Sequence, residues 1–438
     1  MKLRLYFLLT VPLLAVLATN AAFWEFIYGP QVDQEPDGIK LYTYALFAAS
    51  AGALVLYARY MEPLIRSWMW VVLAAIGGLM LESYANQGSW MAYPHVFSKL
   101  FMLLITLGIY AFYRRFGLPA LGQVIGVLVV VLLADLLVFH RDSLSLSAFV
   151  ENERGFGSSS AYLFVIIALY CLNRFLGGGG TWMLVGFFLS LVFILFLQHR
   201  SVWIATVISV PLDLLLLRRA RQVQFSFGRI LALVALPLAL GSGVIGFVVI
   251  NNPEVVSRMQ TNVEDMANAD KQGTGSWRLK QLESYIPLVQ ERPIAGWRLE
   301  GFEVPMQFYD PSNDQPMWAD HTGHHFHNFY LDRAFYFGIL GILLVLLVPI
   351  VRIVQRLLRR GPLLPFTALL VAYFGGLLVF STSYDWSTYH FALLGLLLAA
   401  LAEPVDQAEP LPTYSAAEPE LLQPTLPLPR GSYASTSL

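Results

Sequence analysis

Apolar residues run through this chain in long blocks, not in the alternating or one-faced patterns of elements that meet water. About twelve stretches approach the roughly 20 residues with which a helix crosses a bilayer, near 4–23, 41–58, 68–82, 97–113, 119–139, 160–176, 181–198, 202–217, 229–250, 334–351, 363–381 and 387–402. Most connections between them are short, and one large hydrophilic segment remains, at 251–333. The pattern predicts an all-α polytopic membrane protein with about 12 transmembrane helices and one large loop between helices 9 and 10. The predicted parts are helices 1–9 over 1–250, a loop with amphipathic helices over 251–333, helices 10–12 over 334–402, and a tail over 403–438. That tail is rich in Pro, Ser, Glu and Ala and reads as disordered.

Basic residues flanking spans are retained in the cytoplasm, so their placement orients the helices. Lys2 and Arg4, Arg59 and Arg66, Arg114 and Arg115, Arg174, Arg218, Arg219, Arg221 and Arg229, and then Arg352, Arg356, Arg359 and Arg360 all fall on one side. The opposite loops carry Glu25, Asp33, Glu35 and Asp37, then Glu82, then Asp142, Glu151 and Glu153. The large segment is therefore expected outside the cytoplasm and both termini within it. The N-terminus has the basic start and apolar run of a secretory signal, but that run is long enough for a crossing and reads as the first span.

Composition agrees. Hydrophobic residues make up 57% of the 438, charged ones only 13%, and mean hydropathy is +0.60, which excludes a soluble globular protein. The single cysteine, Cys171, excludes an intrachain disulfide and a cysteine-based metal cluster. The formal net charge of −1 says nothing about partners; the distribution of charge does.

Three polar sites on the outer side need an account. In Gln198-His199-Arg200-Ser201, an arginine in an outer turn runs against the orientation rule unless it meets an anion. It binds either a lipid headgroup or carboxylate, or a substrate phosphate, which suits its planar fork. In the loop, Ser276-Trp277-Arg278 opens a helix that Ser276 is expected to cap. Leu279, Leu282, Ile286 and Val289 form its apolar face, which lies on the membrane interface, and Pro293 ends it. Arg278 would then lie in the first turn, where free backbone N–H groups also favour an anion, or be an ordinary solvated arginine.

The third is Asp320-His321-Thr322-Gly323-His324-His325-Phe326-His327-Asn328-Phe329-Tyr330, which holds four of the eight histidines. A metal site at His321, His324, His325 and Asp320 is one account, although the spacing is irregular for helical ligands. The other gives the work to His327. Asn328 is a good N-cap for span ten, which places His327 at the positive end of the helix, where imidazolium is disfavoured and phosphate attracted.

His327-Asn328, nine residues and then Gly338-Ile339-Leu340-Gly341 resemble the motif of the bacterial O-antigen ligases and the related polymerase superfamily. Arg200-Ser201-Val202-Trp203 resembles the family's arginine-bearing outer turn, and Trp277-Arg278 followed by Pro293-Ile294-Ala295-Gly296 its loop segment. Val202 and Trp297 stand where family members often carry glycine.

The resemblance covers roughly residues 1–402. It implies an enzyme of the bacterial inner membrane with its active site facing the periplasm. A glycan would pass from undecaprenyl diphosphate to a sugar hydroxyl of the lipid A core, without cofactor, metal or nucleic-acid partner. Arg200 and Arg278 would bind the diphosphate and His327 would act as general base. His199, Trp277, Asn328, Tyr330 and Asp385 are possible supports, Asp385 by orienting an arginine or a sugar. Trp297, Phe302, Phe308, Tyr309, Asn313 and Trp318 suit either sugar contact or packing of the loop. An O-antigen polymerase or an O-linked oligosaccharyltransferase shares most of this chemistry. A transporter or flippase would need buried mid-membrane charge, for which Asp135 and Asp213 are the chief candidates, and a zinc hydrolase would need the histidine cluster.

Overall fold

The computed structural model describes residues 7–30, 36–151, 154–220, 226–233, 252–267, 273–300, 326–359 and 361–402, together with Val223 and Ala235. The helices used below are α1 (Val11–Leu17), α2 (Ala21–Tyr28), α3 (Asp37–Tyr57), α4 (Pro63–Gln87), α5 (Pro94–Phe116), α6 (Leu121–Val138), α7 (Leu146–Glu151), α8 (Ser158–Leu176), α9 (Thr181–Phe196), α10 (Arg200–Leu217), α11 (Pro253–Ala267), α12 (Gly273–Glu291), α13 (Phe329–Leu358), α14 (Pro365–Phe380) and α15 (Thr388–Ala402). No strand occurs among the described residues.

Among the described residues, seven helices are long and apolar enough to cross a bilayer, or eight if the bent pair α1–α2 is one span. The shorter apolar helices α9, α14 and α15 fall on predicted stretches, and the predicted ninth span lies mostly outside the described residues. This is a multi-pass membrane protein. The first apolar run is not one straight helix. Asn20 accepts from the Ala22 N–H at 3.1 Å and starts a new helix, and α2 leaves α1 at 70°.

Burial sorts the helices. α5, α8, α14 and α15 are buried along most of their length, whereas α3, α4, α6, α10 and α13 each expose large apolar side chains such as Val55, Trp70, Val130, Val207 and Leu347. An apolar face turned outward on so many long helices is the pattern of a lipid-facing surface. Small residues let the buried helices close up: Gly376 of α14 lies against Ala205 and Ser209 of α10, and Gly395 of α15 against Thr106 of α5.

The two ends of the bundle differ chemically. At one, arginines cap the carbonyl ends of helices, where positive charge meets the negative end of the dipole. Arg114 donates to Ala402 O at 3.4 Å, Arg229 to Leu176 O at 2.9 Å, and Arg219 to Leu357 O at 2.6 Å. These are the basic residues that the orientation rule grouped together. The other end gathers the N-termini of α8, α10, α13 and α15: Tyr389 OH donates to Ser159 O at 2.6 Å, the His199 ring to Phe156 O at 2.7 Å, and Phe329 N to Ser381 O at 3.0 Å.

α13 begins at Phe329, one turn before the predicted start of span ten, which brings two more charges into the helix. Asp332 and Arg333 are buried. Lys99 Nζ of α5 lies 2.5 Å from Asp332 Oδ1, Asp332 pairs with Arg333, and Arg333 reaches Asp385 Oδ1 at 3.5 Å. Asp135 and Asp213 were therefore an incomplete list of buried charge. The alternating signs of this chain neutralise each other and fasten α5, α13 and the 381–387 turn together.

Candidate active site

The site forms where that turn, the start of α10, the start of α13 and helices α11 and α12 meet. Asn328 caps α13 as expected, accepting from Tyr330 N at 2.9 Å and Leu331 N at 3.1 Å. His327 precedes it, exposed, with its ring edge-on to Tyr384 at 6.3 Å between centroids. The same ring meets Arg278, whose guanidinium carbon lies 4.7 Å from the Tyr384 ring centre. One aromatic ring thus contacts both predicted residues. Desolvation first, and then the charge of Arg278, push the His327 imidazole below its ordinary pKa, so the ring is neutral and can accept a proton.

Arg200 is the first residue of α10, and His199 is its N-cap residue, although no side-chain cap bond forms. His199 is buried and donates from Nε2 to Phe156 O. Burial, partly opposed by that hydrogen bond, pushes its pKa down to about 4, with Arg154 and Arg278 adding to the effect. It is a neutral structural donor beside the arginines.

The sequence reading missed two further arginines. Arg154, in the loop before α8, has its pKa lowered by burial, and while Tyr384 opposes this, the charges of Arg200, Arg278 and Arg258 add to it. Four guanidiniums therefore share one electrostatic environment. Arg258 is placed by α11, which Asn262 ties to the outer turn: its Nδ2 donates to Gln198 Oε1 at 3.1 Å, and Gln198 Nε2 donates to Phe149 O at 2.8 Å. The Nε atoms of Arg258 and Arg278 are buried without a hydrogen-bond partner among the described residues. Positive charge gathered this densely, with donors unspent, is what a polyanionic ligand such as a diphosphate neutralises.

Other expectations need correction. Ser276 does not cap α12. The helix begins at Gly273, so Arg278 is its sixth residue and its first-turn N–H groups are not beside that side chain. Of the predicted apolar face, Leu279 and Ile286 are exposed while Leu282 and Val289 pack against the core. Gln281 and Tyr285 are buried, the latter edge-on to Phe326 at 4.8 Å and Phe335 at 5.6 Å.

The supporting residues divide. Asp385 does orient an arginine, but it is Arg333 and not Arg200 or Arg278. Tyr330 donates its hydroxyl to Leu378 O at 2.7 Å and joins α13 to α14. Trp297 packs under Arg292, with its Nε1 donating to Leu288 O at 2.9 Å. Trp277 lies within α12. Phe302, Phe308, Tyr309, Asn313, Trp318, Asp320, His321, His324 and His325 lie outside the described residues.

Residues 185–346 match the family model described as O-antigen ligase. This stretch is an O-antigen ligase family domain. No curated protein matches the chain significantly. The O-antigen ligase match runs from α9 into α13, so it contains Arg200, Arg258, Arg278 and His327, while Arg154, Tyr384 and Asp385 come from outside it. The match supports membership of this stretch in the O-antigen ligase and polymerase superfamily.

Proposed function

We propose that the chain is an O-antigen ligase, an inverting glycosyltransferase that moves a glycan from undecaprenyl diphosphate to a sugar hydroxyl of the lipid A core. The carrying observation is that His327 and Arg278 contact the same ring, Tyr384, within a cluster of arginines. The acceptor oxygen attacks the anomeric carbon while the bond from that carbon to the diphosphate oxygen breaks. His327 takes the hydroxyl proton, a contribution of roughly 10²–10⁴-fold for a well-placed base. The leaving lipid diphosphate gains negative charge, which Arg200 and Arg278, helped by Arg154 and Arg258, stabilise from fixed positions. Attack opposite the leaving group inverts the anomeric centre. No step passes through a metal or cofactor.

The arginine-capped end of the bundle would face the cytoplasm, with the site at the periplasmic face of the inner membrane and both termini inside. Both lipid tails then stay in the bilayer, and only their polar heads meet.

The test is expression in a bacterium lacking its own ligase, followed by separation of its lipopolysaccharide. Long glycan on lipid A is expected from the native chain and none from His327→Ala, with the variant still present in the membrane. Glycan lengthened only on its lipid carrier would make the chain a polymerase, and full transfer by His327→Ala would remove the base.

A further inference from the structure

A second polar cluster lies apart from the arginines, where α2 meets the C-terminal end of α6. Asp135 is in the last turn of α6, His140 follows that helix, and Glu25 comes from α2. His140 Nε2 lies 2.7 Å from Glu25 Oε2 and 3.9 Å from Asp135 Oδ2. One donor atom from each residue falls within 4.8 Å of the other two. Asp135 is fully buried, and neither of its carboxylate oxygens has a hydrogen-bond partner among the described residues. Glu25 and His140 are themselves only 12% and 13% exposed at the side chain.

Two carboxylates held this close, one of them sealed from water, repel each other in a medium that screens poorly. With both carboxylates ionised, even a protonated His140 would leave the group with one negative charge. A divalent cation satisfies both carboxylates and uses the imidazole as a neutral ligand.

We propose that Glu25, Asp135 and His140 form a structural metal site for a divalent cation, zinc by its donor set of one imidazole nitrogen and two carboxylate oxygens. Zinc takes such ligands at about 2.0–2.2 Å in a tetrahedron whose edges are roughly 3.4 Å, so the His140–Glu25 pair at 2.7 Å needs to open and the His140–Asp135 pair at 3.9 Å to close, each by roughly 0.5–0.7 Å, with water as the fourth ligand. The cation fastens α2 to the end of α6. It also steadies His140, whose ring packs edge-on to Phe156 at 5.5 Å and whose Cβ would lie 3.2 Å from a Cβ added at Gly155. Gly155 and Phe156 directly follow Arg154, so the site braces the loop that carries it.

The experiment reads binding and not transfer, so it stands apart from the proposed activity. Purified full-length chain is stripped with a chelator, dialysed against zinc, and assayed for bound metal and Tm. One zinc per chain and a raised Tm are expected, with the metal lost from Asp135→Asn, Glu25→Gln and His140→Gln, and kept by a His324→Gln/His325→Gln double variant. Binding well below one equivalent would overturn the site and leave a shared proton as what holds the cluster. Unchanged zinc in Asp135→Asn and His140→Gln, or its loss from the His324→Gln/His325→Gln double variant, would overturn it in favour of the other histidines.

Discussion

Gly296 and Gly338 interlock backbone to backbone. Both have positive φ, +64° and +61°. A Cβ at Gly296 would lie 2.5 Å from the backbone N of Phe337, and one at Gly338 would lie 2.3 Å from the carbonyl of Ile294. At Gly338 helix α13 breaks, and the 293–298 turn enters the gap. The exchange of hydrogen bonds is reciprocal. Ile339 N and Leu340 N, whose helical acceptors would be Phe335 O and Tyr336 O, donate instead to Pro293 O at 2.8 Å and Ile294 O at 3.2 Å. The two carbonyls left over accept from Trp297 N and Arg298 N, both at 2.9 Å. Both glycine motifs read from the sequence are thus halves of one joint, which fixes the end of α12 against the helix that begins beside His327.

Alanine at either glycine forces the same two backbones apart. Gly338→Ala and Gly296→Ala should each cost roughly 3 kcal/mol or more, since a positive φ and a backbone overlap act together. Because both substitutions open one joint, the double variant should lose clearly less than the sum of the singles. Denaturation of the detergent-solubilised variants checks this; strict additivity would mean that the two glycines act separately.

The four arginines should not respond alike. Arg278→Lys keeps the charge but loses the fork and should lower transfer by roughly ten- to hundredfold. Arg258→Ala, which removes a contributor to the cluster that the sequence reading overlooked, should cost about as much and chiefly raise the KM for the lipid-linked donor. Steady-state kinetics with purified donor and acceptor would measure both, and an unchanged KM for Arg258→Ala would take that residue out of the site.

Much of this was legible in the chain. Apolar runs mark helices because a bilayer leaves the backbone no partner but itself, and His327-Asn328 marks a helix start because Asn caps. The outer arginines were legible only in part. Arg154 and Arg258 break the orientation rule as Arg200 does, yet so do Arg292 and Arg298, which turn out to pair with Glu300 and Glu82. Pairing is a tertiary fact, and without it an arginine of the cluster looks like one bridged to a carboxylate. Tyr384 carried no signal at all, because its role depends on the turn between α14 and α15 landing beside two distant segments.

Asp332 is the central member of the buried chain from Lys99 to Asp385. Asp332→Asn would leave Lys99 and Arg333 buried with less compensation, and should cost about 3–5 kcal/mol. Leu at position 99 together with Asn at 332 should recover part of that loss by removing the stranded ammonium. Thermal unfolding of the single and double variants tests the pairing, and a double variant less stable than Asp332→Asn would argue against it.

Two neutral histidines give the protein an acid limit with two separable parts. His327 has a pKa below the ordinary ~6.5, so transfer should hold as pH falls past that value and decline only where the base protonates. The charge of Arg278 contributes to that depression, so the residual activity of Arg278→Gln should decline at a higher pH than the native enzyme's. His199 acts on stability instead. Its folded pKa of about 4 lies below its unfolded value, so the unfolded chain takes up the proton first and stability falls from about pH 6.5 down to about pH 4, levelling off below. The loss for this nearly fully buried ring is about 3 kcal/mol. His199→Gln should flatten that slope in a pH series of unfolding measurements without moving the acid limb of transfer, whereas a shift in that limb would mean that His199, and not His327, sets it.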